Sequence, residues 1–90
     1  MSIIETVVTI PASLEANIFG QFDQHVKRIE KTLNVTIISR EGNIKVLGSE
    51  HSSRKAAQII ESLSALAKAG NTITEQNVDY ALALAMEDKE

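Results

Sequence analysis

The chain has 90 residues, 43% of them apolar and 23% charged, with a net charge of −3 and no cysteine. That length suits one domain, residues 1–90, because dividing it leaves neither half a workable core. The composition excludes a disordered tail, disulfides and thiolate metal sites, and it argues against binding nucleic acid by overall positive charge.

Ile3 to Ile10 is rich in β-branched residues, with Ile4, Val8 and Ile10 on one side and Ile3, Glu5 and Val7 on the other. This predicts a strand, stopped by Pro11. Ser13 is placed to cap a short helix carrying Leu14 and Ile18, with Glu15 in its first turn and Gly20 at its end. Asp23 then caps a second helix with an apolar stripe of Val26, Ile29 and Leu33, against which Phe22 folds inward as a hydrophobic staple. Asn34 ends that helix. Val35 to Ser39 and Ile44 to Leu47 read as two further strands, joined by the turn residues Glu41-Gly42-Asn43.

Gly48 and Ser49 open a long helix through Ala69, with Ala56, Ile59, Ile60, Leu63 and Leu66 on its buried face and Gly70 just beyond. Thr74 caps a last helix whose stripe is Val78, Leu82 and Ala85. Tyr80, Leu84 and Met86 exceed what one stripe requires, since Leu82 and Leu84 cannot share a face. The order is β-α-α-β-β-α-α. It predicts an α+β fold: a three-stranded antiparallel sheet with helices packed on one face. No apolar run approaches the roughly 18 residues that span a bilayer, and the N-terminus lacks the basic flank and apolar stretch of a signal peptide. A cytoplasmic protein without a membrane partner is the expectation.

Catalytic signals are weak. His25 and His51 have no metal-ligand spacing and read as solvated surface residues. There is no Ser-His-Asp order and no GxxxxGK[ST] loop, so this chain is expected to be no enzyme by itself and to need no metal or cofactor. The turn Gly20-Gln21-Phe22-Asp23 says more. A glycine lets backbone approach a ligand, and the following helix start offers free N–H groups that suit a phosphate. Lys27, Arg28 and Lys31 follow, with Lys27 and Lys31 on one face. The plainer reading is a helix end followed by a solvated face. Arg40 suits a base or a phosphate, or serves as an edge-strand charge against aggregation. Arg54 and Lys55 open the long helix, where cations are disfavoured; they answer Glu50 or belong to a partner surface.

The stretch GQFDQHVKRIEKTLNVTI resembles the core of a KH domain of type I order, matching at Gly20, Val26, Ile29, Glu30, Val35 and Ile37. More closely, the whole chain resembles the N-terminal domain of the PhoH family of phosphate-starvation-inducible proteins. The segments that carry the likeness are IFGQFD (18–23), VKRIE (26–30), VTIISR (35–40), EGNIKVLG (41–48) and ITEQNVDYALALA (73–85). The resemblance implies a KH-like domain excised from a longer chain, in which a P-loop ATPase domain follows, and it implies RNA as the substrate of that ATP-binding protein. In a KH arrangement Val35, Ile37 and Arg40 border the binding groove. The implied contact set for single-stranded RNA is Gly20, Gln21, Lys27, Lys31 and Arg40. Asp23 stands where such a turn has its second glycine, and a carboxylate beside a phosphate costs about 1 kcal/mol in water. The alternative is therefore a protein-interaction domain that docks on the ATPase domain or forms a homo-oligomer.

Overall fold

The computed structural model describes residues 2–87. The β-branched run forms β1 (Ile4–Thr9), and Pro11, which cannot extend the ladder, turns the chain through a single 3-10 turn at Ala12–Leu14. Then come α1 (Glu15–Phe19), a second 3-10 turn at Gln21–Asp23, α2 (Gln24–Leu33), β2 (Thr36–Arg40), β3 (Asn43–Gly48), α3 (Glu50–Lys68) and α4 (Glu75–Met86). The result, among the described residues, is an α+β fold with four α-helices and one antiparallel sheet of strand order β1-β3-β2. Among the described residues no helix is long and apolar enough to cross a membrane.

The central strand is built by a hairpin. Glu41 and Gly42 connect β2 to β3 with φ of 51° and 88°, the paired left-handed residues that a two-residue hairpin requires. The Ile10 N–H donates to the Gly42 carbonyl at 2.8 Å, fixing the end of β1 to that turn. The register then places Val8 beside Ile44, and Ile37 beside Val46. These four residues, with Ile10 and Val35, are buried, whereas Val7, Ile38 and Arg40 of the opposite parity are exposed. One face of the sheet is covered and the other is open.

α3 does most of the covering. Ser49 caps it by accepting from the Ser52 N–H at 3.2 Å, and Thr6 of β1 donates to Ser53 Oγ at 3.2 Å. Ala56, Ile59, Ile60 and Leu63 are buried as the periodicity requires, but Leu66 is 37% exposed, and Ala67 takes the inward position in that turn. The helix is buried on two sides, against the sheet and against α4. Lys55 is accordingly buried rather than solvated, with Nζ donating to the Ala85 carbonyl near the end of α4. Arg54 pairs with Glu50 one turn earlier.

Thr74 and Asn77 form a reciprocal capping box at the start of α4, whose Val78 and Leu82 complete the core. Ser13 caps nothing. The residue before α1 is Leu14, with no side-chain bond, because the 3-10 turn already satisfies the Leu14 N–H through the Pro11 carbonyl. Asn17 clamps the segment leading into α4: its amide donates to the Asn71 carbonyl and accepts from the Ile73 N–H, each at 2.9 Å.

α2 is tied to β2 by Glu30, whose carboxylate accepts the Ile37 N–H at 2.8 Å. That N–H points away from β3, so Glu30 satisfies an otherwise bare edge. Replacing Glu30 with Ala should destabilise the domain by about 1–3 kcal/mol, because the part-buried N–H loses its acceptor. Glu30→Gln, which keeps an acceptor oxygen, should lose less than half of that in urea unfolding.

Candidate functional site

The segment between α1 and α2 is a turn with three positive φ values in four residues: Gly20 at 83°, Phe22 at 56° and Asp23 at 58°. Only the first belongs to a glycine. For an L-residue the left-handed region costs roughly 1–2 kcal/mol, less for Asp, and it is rare for a bulky ring. Asp23 thus takes, without being glycine, the conformation that a glycine would take freely. Its side chain makes no capping hydrogen bond, contrary to the sequence expectation, because a left-handed residue does not aim its carboxylate at the first N–H groups as an extended cap does.

Phe22 likewise departs from expectation. It does not staple against Val26 but is 84% exposed, since its left-handed backbone turns the ring away from the apolar stripe. His25 is the inverse case. Expected on the surface, it is 4% exposed, and its Nδ1 has no hydrogen-bond partner among the described residues. The ring lies against Gly20: a Cβ there would sit 2.6 Å from Nδ1. What approaches Gly20 is the protein's own imidazole. His51 is exposed as expected.

The cations of α2 divide by direction. Arg28 reaches α4, pairing with Asp79 at 2.5 Å and Glu75 at 3.3 Å. Glu30 faces β2. Between them Lys27 and Lys31 project outward, exposed and without an ion-pair partner among the described residues. Side chains on a helix lean toward its N-terminus, so Lys27, about 4.5 Å along the axis from the helix start, inclines toward the turn.

Gly20 and Gln21 lie on the turn, with Gln21 exposed, and Lys27 and Lys31 follow along the helix it leads into, Lys31 about 10.5 Å along the axis from its start. Arg40 does not join them. Strand alternation assigns it to the open face of the sheet with Thr36 and Ile38, whereas α2 packs on the covered face. Val35 and Ile37, expected to border a groove, are core residues at 7% and 9% exposure. Among the described residues no group of three or more His, Asp or Glu is arranged to hold a metal ion.

Sequence reasoning missed Phe22 and His25. Their spacing to Val26 and Ile29 suits either an inward or an outward side chain, so only the backbone angles of the turn decide. If His25 packing fixes the turn, Gly20→Ala should destabilise the domain by about 1–3 kcal/mol, through overpacking at a positive φ, measured by urea unfolding.

Comparison with known proteins adds three findings. No family model matches the chain. A crystal structure of a protein of unknown function from Aeropyrum pernix is similar with a TM-score of 0.77 at 18% identity, over 97% of this chain and 49% of that one, which shows a shared fold alone. The chain is 37% identical over 73 residues to the PhoH-like protein of Bacillus subtilis (strain 168), a match that takes in 81% of this chain and 23% of that protein. The match supports a relation between this chain and the PhoH family, of whose Bacillus subtilis representative it spans less than a quarter.

Proposed function

We propose that this is a KH-like domain that binds single-stranded nucleic acid, RNA above all, as an accessory part of a cytoplasmic ATP-binding protein of PhoH type. The observation that carries this reading is the turn of residues 20–23. It keeps a glycine-like backbone at Asp23 and leads directly into a helix whose outward lysines, Lys27 and Lys31, are not consumed by internal ion pairs. The element order and the antiparallel sheet are compatible with a KH-like arrangement. ATP hydrolysis belongs, on this reading, to a following P-loop domain, since the chain has no GxxxxGK[ST] sequence of its own.

Two unpaired lysines in a domain of net charge −3 give weak, salt-sensitive binding. If both meet phosphates, affinity for a single strand falls by about sevenfold between 50 and 200 mM salt. Arg40, on the open sheet face, is the least supported member of the contact set.

A second reading rests on α4. Tyr80 and Leu84 are 68% and 52% exposed, and with Leu66 they leave an apolar strip along the groove between α3 and α4. Such a strip suits docking on another domain or on a second copy of the chain.

An amide-shift NMR titration with short single-stranded RNA at low and near-physiological salt tests the two readings. The nucleic-acid reading expects shifts concentrated in residues 20–31 that weaken with salt. Lys27→Ala should reduce the salt slope by about 0.7. A flat titration would refute it and leave the α4 surface as the functional face.

A further inference from the structure

The Phe22 ring sits in a position that folding alone does not explain. A phenyl ring normally gains from burial, and the apolar stripe of α2 begins only four residues away. Instead the ring is 84% exposed. Its backbone adopts φ 56° and ψ 30°, a rare conformation for a bulky side chain, and Asp23 follows in the same left-handed region. Two consecutive non-glycine residues are held in a disfavoured conformation, and the effect is to present a ring to solvent. Strain of this kind, when the surrounding structure fixes it, clusters at ligand-contacting sites. Here the packing of His25 against Gly20 does the fixing.

We propose that Phe22 is a stacking platform for an unpaired nucleobase. This rests on the nucleic-acid reading above and changes how the turn takes part in it. A carboxylate at Asp23 is repelled by a phosphate but is indifferent to the uncharged face of a base. The turn is therefore built to meet a base rather than a phosphate. The phosphates fall to Lys27 and Lys31, one and two helical turns further along α2 and inclined back toward the ring. Base-on-aromatic stacking tolerates any base and needs an unpaired strand. The ring also has no local substitute. Phe19 is buried, and Tyr80, the third aromatic residue of the chain, lies on α4.

The decisive variant is Phe22→Gly, because it separates folding from binding. Glycine adopts the left-handed conformation freely, so this variant should melt at the same temperature as the parent chain or a few degrees higher. Its affinity for a single-stranded RNA oligonucleotide should fall about tenfold, and Phe22→Trp should restore it. An oligonucleotide carrying 2-aminopurine should lose fluorescence on binding the parent chain and keep it with Phe22→Gly. Duplex RNA of equal length should bind weakly to both.

Single-strand binding that Phe22→Gly leaves unchanged, in affinity and in 2-aminopurine quenching, would overturn the stacking role while the nucleic-acid reading stands. A melting temperature several degrees lower would assign Phe22 to the fold and overturn it equally. If the parent chain binds neither single-stranded nor duplex RNA, both inferences fall together.

Discussion

A three-stranded sheet covered on one face must draw its apolar burial from a single helical layer, and in this domain α3 is the element on which that layer depends. It packs on β1 and β3 below, on α1 and α2 beside it and on α4 above. Ile59, Ile60, Leu63 and Ala56 are consequently among the most buried residues in the molecule. Burial on two sides explains two features at odds with a simple amphipathic stripe. Ser53 and Ser64 are buried polar residues, Ser53 made tolerable by hydrogen bonds to Thr6 and to the Glu50 carbonyl. Lys55 is drawn under α4 and ends on a backbone carbonyl there. A helix that serves two neighbours cannot keep a wholly polar side.

The same packing shapes the surface of α2. Its charged residues are assigned by what lies on either flank, Arg28 to the acids of α4 and Glu30 to the exposed edge of β2. Lys45 is likewise drawn to Glu5 across the open face of the sheet, and Arg54 to Glu50. Among the described residues Lys27, Lys31, Arg40 and Lys68 have no ion pair, and the first two stand four residues apart on one face of α2. Exposed pairs contribute little to stability, but they decide which charges remain available to a partner.

The turn joins these themes. Its first residue must be glycine because the imidazole of His25 occupies the space a Cβ would need. That contact couples the shape of an exposed loop to the core, through a helix whose Val26 and Ile29 are fully committed to it. Strain at Phe22 and Asp23 is thereby sustained by packing on the inner side of the turn. A rigid scaffold holding an otherwise unfavourable loop is a common way for small domains to present contact residues.

Much of the fold was legible in the residues themselves. β-Branched runs, the Glu41-Gly42 turn, Thr74 and Ser49 as caps and the three- and four-residue apolar spacing each act locally, so composition and order determined the elements and their succession. The expected positions of Gly20, Gln21, Lys27 and Lys31 on one turn and one helix face followed from the same local geometry. What tertiary structure alone decided was direction. Phe22 and His25 lie three residues apart, and either could have faced the core; the left-handed backbone at Phe22 turned its ring out, while the space beside Gly20 took the imidazole in. Arg40 was separated from the lysines because strand parity matters only once a helix has chosen which face of the sheet to cover. Arg28 and Lys55 found their partners across some thirty to fifty residues of chain, a span over which no sequence period operates.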